Sequence, residues 1–347
     1  MTAVTGNTFH GLQKRRLLLN VFFLGIRFFN AMKLADMNMN KQVNMNTDVE
    51  EDQMLYRIGT RGSKLALKQA EFVQKTLTEY FPEHEFRLAV VKTAGDKFNN
   101  VPMKEVGTKG IFIKEIEESL LAGTIDLAVH SMKDMPTELP EGLVLAKTWK
   151  REDPRDVLVL RENSSLDELP LHAVIATGSL RRKYQLLRLR PDLEIVDIRG
   201  NVETRIRKME EQELDGIVLA AAGLKRLQLE EKITHYFDYD EMIPAPGQGV
   251  LAIEMLKKRK DIKALLEPFK DEETVREATG ERHFLSLMGG GCHLPVGAIG
   301  EIRGEDICLK VMYGDEAGEK LVFAEAIGKD PIHIAEEAAD KLRAQWQ

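Results

Sequence analysis

The chain has little cysteine, no long uninterrupted apolar run and no surplus of basic residues. Its 2 cysteines, Cys292 and Cys308, are too few for a disulfide framework and favour a reducing compartment. A formal net charge of -7 argues against a general nucleic-acid-binding protein. What is present, 43% hydrophobic and 30% charged residues, is typical of a globular protein. A chain of 347 residues predicts about two or three domains.

The first 54 residues lack the core pattern of the rest, and no acidic residue occurs before Asp36. A basic run at 14–16 precedes an apolar segment at 17–26, the charge order of a signal or transit peptide. The segment is too short and too interrupted to span a bilayer. We expect residues 1–54 to be a disordered or wrongly assigned extension, with organelle targeting as the alternative. The expected location is the cytoplasm, or an organelle under that alternative.

Strand and helix patterns alternate from residue 55 onward, which predicts mostly parallel α/β sheets. Two proline-bearing segments, 151–156 and 244–249, divide this pattern into two lobes that the chain crosses between twice. From about Glu272, a helix, three strand-like runs and a final helix predict a small α+β domain. The predicted domains are 55–150 with 250–267, then 155–243, then 272–347.

The most informative stretch runs from Leu127 to Pro136. A short apolar strand leads into a polar turn that carries Ser131, Lys133 and Asp134. Ligands of open α/β sheets bind just outside the carboxyl ends of strands. Alone, however, such a turn is more often a solvated surface loop.

Arginine is concentrated between residues 181 and 207 of this otherwise acidic protein. Arginine binds carboxylates through two parallel hydrogen bonds and stays charged when desolvated. Surface ion pairing explains Arg188, Arg190 and Arg207 well, whereas several of the others lie at strand-to-helix turns. For those, a ligand with several carboxylates is the better explanation. The candidates are Arg181, Arg182, Arg199 and Arg205.

Cys292 directly follows three glycines, which permit a close approach of the backbone. A free cysteine is more often a small core residue, as we expect for Cys308. A cysteine on a glycine-flanked loop is a candidate for covalent attachment. For Cys292, the spacing alone supports a core role and an attachment role equally.

Together these residues resemble the porphobilinogen deaminase (hydroxymethylbilane synthase) family. The resemblance covers about Leu55 to Trp346 and rests on motifs that stand in the family's order. They are Gly59-Thr60-Arg61-Gly62-Ser63, Ala94-Gly95-Asp96, Lys109-Gly110-Ile111-Phe112, His130-Ser131-Met132-Lys133-Asp134, Arg151 to Asp156, Gly178-Ser179-Leu180-Arg181-Arg182, Arg199-Gly200-Asn201, Ala220 to Leu224, Gly247-Gln248-Gly249 and Gly290-Gly291-Cys292.

The resemblance implies two lobes like those of periplasmic binding proteins, joined by a double crossover, and a small α+β C-terminal domain. It implies a transferase that joins four porphobilinogen molecules head to tail, with loss of ammonia, into the linear tetrapyrrole hydroxymethylbilane. Cys292 would carry a dipyrromethane cofactor through a thioether, and Asp134 would be the catalytic carboxylate. The positions expected to bind the cofactor are Ser131, Lys133, Thr177, Ser179, Arg181, Arg182, Arg199 and Arg205. Those expected to bind substrate are Arg61, Ser63, Lys109 and Phe112.

No metal, nucleic acid or membrane partner is expected, and the resemblance favours a monomer. The chain departs from the family at Glu105, Gly178 and Gly289, where a basic residue, a serine and an acidic residue are common. These departures bear on binding strength more than on reaction type.

Two other functions fit part of this sequence. A two-lobed solute-binding protein that clamps a polycarboxylate would explain the double crossing and the arginines. It would not explain the third domain with its glycine-flanked cysteine, or the pair formed by Lys133 and Asp134. An inactive homologue is disfavoured because the expected reactive residues are all present.

Overall fold

Three β-sheets carry the fold in the computed structural model of this protein, which describes residues 53–93, 113–162, 165–289 and 294–346. The strands are β1 (Leu55–Thr60), β2 (Glu85–Val90), β3 (Leu127–Ser131), β4 (Leu143–Leu145), β5 (Asp156–Leu160), β6 (Val174–Ala176), β7 (Glu194–Val196), β8 (Gly216–Ala220), β9 (His235–Tyr236), β10 (Leu251–Leu256), β11 (Val296–Arg303), β12 (Asp306–Gly314) and β13 (Leu321–Gly328). The α-helices are α1 (Lys64–Tyr80), α2 (Lys114–Leu121), α3 (Leu180–Leu189), α4 (Val202–Glu211), α5 (Ala221–Arg226), α6 (Lys260–Leu266), α7 (Glu272–Leu287) and α8 (Pro331–Trp346).

The first lobe is a five-stranded sheet in the order β2-β1-β3-β10-β4. Strand β1 is parallel to β2 and β3, whereas β10 is antiparallel to β3 and β4. Ser63 is the N-cap of helix α1. Its side chain accepts a hydrogen bond from the Ala66 amide and so satisfies a donor that the helix leaves free. Its buried Val73 and Leu77 share one apolar cluster with Ile58 of β1 and Ile253 of β10, which fixes the helix on the sheet.

The second lobe repeats this plan in the order β7-β6-β8-β5-β9. Successive residues of β5 face opposite sides of the sheet, as in any strand. Val157 and Val159 join the cluster that includes α4, and Leu158 and Leu160 join the one that includes α3. Both faces of this sheet are therefore covered by helices.

The predicted double crossing is confirmed. The chain leaves the first sheet after β4 to form β5, and it returns after β9 to form β10. The two crossing segments are joined where the Glu152 amide donates to the Gly249 carbonyl at 3.2 Å. Gly249 has φ +88, and a Cβ there would lie 2.2 Å from the Glu152 carbonyl oxygen, so this contact requires glycine.

The prediction of mostly parallel sheets is only half right. In the second lobe β6 is parallel to β7 and β8, while β5 is antiparallel to β8 and β9. Both β5 and β10 directly follow a crossing segment. They therefore enter their sheets at the edge where the parallel strands end, and run the opposite way.

The third sheet is antiparallel, in the order β11-β12-β13, and its core is shared with α7 and α8. The predicted α+β character of this region is thereby confirmed. Cys308 lies fully buried in β12, as expected of a core cysteine. Gly289 follows α7 with φ +87, a conformation that a residue with a side chain resists, so the departure at this position suits the end of the helix.

Each of the three predicted domain ranges contains one sheet, while residues 53–347 form one compact unit, so the boundaries stay predictions. Among the described helices, none has the length and apolar run needed to cross a bilayer. Several predictions lie outside the described residues. These concern the extension up to residue 52, Glu105, Lys109, Phe112 and Cys292.

Candidate active site

The described site residues follow the carboxyl ends of parallel strands in both lobes, and charges from the two lobes lie close together around Lys133. In the first lobe, β1 leads to Arg61 and Ser63, and β3 leads to residues 131–134. In the second lobe, β6 leads to residues 177–179 and β7 leads to Arg199. An exposed ion pair of 2.5 Å between Lys64 and Glu203 spans the two lobes beside these edges.

The 131–134 turn gives adjacent side chains different surroundings. After β3 the chain forms one turn of 3-10 helix, Met132–Asp134. The Met132 amide donates to the Val250 carbonyl at 3.0 Å, and its side chain is buried in an apolar cluster with Val250. With Met132 fixed inward, Lys133 is half-buried and Asp134 is exposed at the cleft.

Lys133 lies among charges from both lobes. Burial lowers its pKa to about 8, and Arg182 and Arg181 reinforce that effect, whereas Asp134 and Asp156 oppose it. A lysine with this pKa is still largely protonated at neutral pH, yet it releases its proton far more readily than an exposed lysine.

Asp156 is a site residue that the sequence did not single out. It is fully buried at the start of β5, and its Oδ2 lies 2.5 Å from Nη1 of Arg181. Its Oδ1 accepts from Nε of Arg182 at 2.9 Å. Burial alone would raise the pKa of Asp156, but the two guanidinium groups outweigh it and hold that pKa well below its usual range.

This arrangement gives Arg181 an internal partner that we did not predict. Its Nη1 also donates to the Ile243 carbonyl at 2.7 Å, and only 5% of the residue is exposed. Its predicted contact with a ligand carboxylate stays a prediction. The role that the structure gives it is the neutralisation of Asp156.

Arg199 and Arg205 lie in the same electrostatic environment as Asp134. Burial lowers the pKa of Arg205, Arg182 and Arg199 reinforce this, and Asp134 opposes it. Nε of Arg205 donates to the Gly200 carbonyl at 2.7 Å. Arg199 is exposed on the cleft side, which leaves it accessible to a ligand.

The departure at Gly178 is explained by Asp197. A Cβ at Gly178 would lie 2.8 Å from Oδ1 of Asp197, whose Oδ2 accepts from Nε of Arg199 at 2.9 Å. The absence of a side chain at 178 therefore leaves room for the carboxylate that holds Arg199.

The predicted hydroxyl residues build the turns themselves. Ser179 is the N-cap of α3 and accepts from the Arg182 amide at 3.4 Å, and Thr177 accepts from the Ser179 amide at 3.2 Å. Ser131 accepts from Nε2 of Gln69 at 2.9 Å. Sequence reasoning missed Gln69 as a site residue, although a glutamine on the buried face of α1 is a signal that it has a polar partner.

Two family models match this chain. One, described as "Porphobilinogen deaminase, dipyromethane cofactor binding domain", covers residues 56–264, and the other, "Porphobilinogen deaminase, C-terminal domain", covers residues 275–345. The chain belongs to the porphobilinogen deaminase family. The resemblance read from the motifs is therefore confirmed.

Individual family members align with the chain over most of their length. The porphobilinogen deaminase of Lachnospira eligens is 52% identical over 293 residues, which are 83% of this chain and 99% of that protein. The porphobilinogen deaminase of Clostridioides difficile is 52% identical over 267 residues, which are 77% of this chain and 89% of that protein. Among solved structures, the methionine-binding protein MetQ aligns at 15% identity with a TM-score of 0.41, over 66% of this chain and 94% of that one.

The family model that names the dipyrromethane cofactor spans both edges of the cleft. The residues there suit such a group, because each of its two pyrroles carries an acetate and a propionate and the edges supply Lys133, Arg199 and Arg205. In the described part of the chain, no group of His, Cys, Asp and Glu side chains is arranged to hold a metal ion.

Proposed function

We propose that this protein is a hydroxymethylbilane synthase. It condenses four porphobilinogen molecules head to tail, with release of ammonia, into a linear tetrapyrrole. Membership of the porphobilinogen deaminase family carries this proposal. The placement of Asp134 beside Lys133, opposite the arginines of the second lobe, supports it.

Binding of the substrate is assigned to the cationic side chains of the cleft. Porphobilinogen carries two carboxylates, and the guanidinium groups of Arg199 and Arg205 are suited to pair with them. In a partly desolvated cleft, such groups bind carboxylates through charge-assisted hydrogen bonds. Arg61 and Ser63 would contribute from the turn after β1.

Asp134 is assigned the catalytic role. When porphobilinogen loses its amino group as ammonia, the remaining pyrrole is electron-poor and positively charged. A carboxylate at the cleft stabilises that charge electrostatically and can accept the proton released when the new carbon–carbon bond forms. Lys133, next in sequence, would hold a carboxylate while Asp134 faces the reacting carbon.

The dipyrromethane group would be attached through Cys292, and when bound it supplies the pyrrole to which the first porphobilinogen is joined. The residues that would hold its carboxylates are Lys133, Arg199 and Arg205, with Ser131, Thr177 and Ser179 shaping the turns around them. The predicted ligand contact of Arg182, like that of Arg181, stays a prediction, because its guanidinium pairs with Asp156. We further propose that the protein is a monomer, as the family resemblance implies, and that it acts in the cytoplasm, with organelle targeting as the alternative.

Two substitutions separate attachment from catalysis. We expect Cys292→Ser to lack the covalent group and to turn over no porphobilinogen. Asp134→Asn keeps the side chain's shape but removes its charge, so it should retain the group, or accept it from preformed tetrapyrrole, and elongate it at least a hundredfold more slowly. The measurements are intact mass after denaturation and the rate of porphobilinogen consumption.

Matched controls are available for both changes. Cys308→Ala alters a buried core cysteine and should keep the covalent group. Asp340→Asn neutralises a side chain that is 75% exposed and should keep normal turnover. A covalent group in Cys292→Ser would assign its attachment to another residue, and near-normal elongation by Asp134→Asn would remove Asp134 from catalysis.

A further inference from the structure

Gln248 makes hydrogen bonds to both lobes through its side-chain amide. It lies on the returning crossing segment, just before β10, and is 1% exposed. Its Oε1 accepts from Nζ of Lys133 at 3.3 Å. Its Nε2 donates to the Pro154 carbonyl at 2.7 Å and to Oδ1 of Asp156 at 2.9 Å.

The orientation of this amide follows from its partners. Both hydrogens of Nε2 are used by oxygen atoms that can only accept, the Pro154 carbonyl and the ionised Asp156 carboxylate. If the amide were rotated, its oxygen would face these two acceptors and its hydrogens would face the Lys133 ammonium. Only one orientation pairs all the groups, so Oε1 is directed at Lys133.

The backbone around Gln248 is held firmly. Nε of Arg151 donates to the Gln248 carbonyl at 2.8 Å. On the other side, Gly247 has φ +74, and a Cβ there would lie 2.6 Å from Cγ of Met132. The crossing segment thus packs directly against the 131–134 turn, and Gln248 has little freedom to move away from Lys133.

We propose that Gln248 is a positioning residue that holds the Lys133 ammonium in place at the cleft and ties it to Asp156, and through Asp156 to Arg181 and Arg182 in the other lobe. This inference rests on the proposed function. Gln248 does not touch the reacting atoms, but it acts through a lysine that would bind a carboxylate beside Asp134.

The charges facing Lys133 allow the consequence to be worked out. Asp134 and Asp156 favour its protonated form, and Arg181 and Arg182 oppose it. The amide oxygen of Gln248 accepts a hydrogen bond that exists only while Lys133 carries its donors, so it also favours the ammonium. Removing this oxygen should lower the pKa of Lys133 and free its side chain.

The test is the pH dependence of kcat/KM for porphobilinogen, measured on holoenzyme. Gln248→Met keeps the length of the side chain but removes both kinds of hydrogen bond. We expect the alkaline limb of its pH profile to lie about one pH unit below that of the unchanged protein. The reason is that a hydrogen bond to a charged group contributes a free energy equivalent to about one pKa unit. The KM should also rise more than kcat falls.

Gln185→Met is the matched control. Gln185 is also fully buried in the second lobe, where its amide bonds to the Arg181 carbonyl and to the Ile243 backbone. These bonds stay within the second lobe and the segment that follows it, so their loss should lower the melting temperature without moving the alkaline limb. If Gln248→Met does not fold, Gln248→Asn, which draws the amide back by one methylene group, should show the same shift.

An alkaline limb that stays in place in the folded Gln248 variants, or that moves equally in Gln185→Met, would overturn this inference and leave the proposed function intact. Failure of the unchanged holoenzyme to consume porphobilinogen would overturn both.

Discussion

At the scale of single residues, the arginines that the sequence grouped together have two different roles. Arg181 and Arg182 contact buried Asp156, whereas Arg199 is exposed and pairs with Asp197, itself on the surface. Removing one partner from a buried ion pair leaves an incompletely compensated charge, which is far costlier than removing a surface pair.

We therefore expect Arg181→Leu and Arg199→Leu to differ. Arg181→Leu should lower the free energy of unfolding by about 3–5 kcal/mol. Arg199→Leu should change it by less than about 0.5 kcal/mol while reducing kcat/KM at least tenfold, through loss of a carboxylate contact. Urea unfolding and steady-state kinetics measure the two effects.

Arg207→Leu is the control, because the side chain of Arg207 is 67% exposed and pairs with Glu211 along its own helix. It should leave both quantities unchanged. Equal stability of the Arg181 and Arg199 variants would contradict the internal role of Arg181.

At the scale of elements, α7 brings two glutamates against the first crossing segment. Glu281 forms a bidentate pair with Arg151 at 2.6 and 3.0 Å, and Glu277 lies 3.6 Å from the same guanidinium. Burial raises the pKa of Glu277 to about 7, with Glu281 reinforcing and Arg151 opposing the shift. One arginine is thus shared by two carboxylates, of which only Glu281 is fully paired.

This raised pKa predicts a pH-dependent stability. The folded protein holds the Glu277 proton up to about pH 7, whereas the unfolded chain releases it near the ordinary value of about 4.5. The stabilisation by protonation is therefore present below pH 4.5 and is lost as the pH rises to 7. Glu277→Gln, which stays neutral, should be more stable than the unchanged protein by about 1 kcal/mol at pH 7.5 and about equal to it at pH 4.

Thermal or urea unfolding at the two pH values checks this difference. Glu79→Gln makes the same change at a side chain that is 68% exposed and should show no such pH dependence. A Glu277→Gln variant that is less stable at both pH values would show that its contact with Arg151 outweighs its desolvation.

Elements and local turns could be predicted from the sequence, but contacts between segments distant in sequence could not. Ser63, Ser179 and Asn201 are residue types that N-caps favour, and each caps a helix here, because the capping signal is local. In the sequence, Asp156 is one of several charged residues in the first crossing segment, and nothing next to it indicates a special role. Its burial depends on α3 and the returning crossing segment, which lie about 25 and 90 residues away in the sequence. The residues next to Asp156 therefore give no sign that it is buried.

At the scale of the whole molecule, the family match begins at residue 56 and the described fold at residue 53. A chain that begins at Met54 should therefore fold, acquire its covalent group and turn over porphobilinogen as the full chain does. Melting temperature, intact mass and kcat/KM check this. Loss of folded protein on this truncation would show that the extension contributes to the core.

The first lobe has a discontinuous sheet, since β3 pairs with β10 between residues 127–131 and 251–255. During synthesis, β3 can therefore pair with β10 only after more than a hundred further residues have left the ribosome. All the strands of the second lobe, by contrast, lie within residues 156–236. The lobe that comes second in the sequence is thus the first whose sheet can be completed on the nascent chain, and the sheet of the first lobe can be completed only after it.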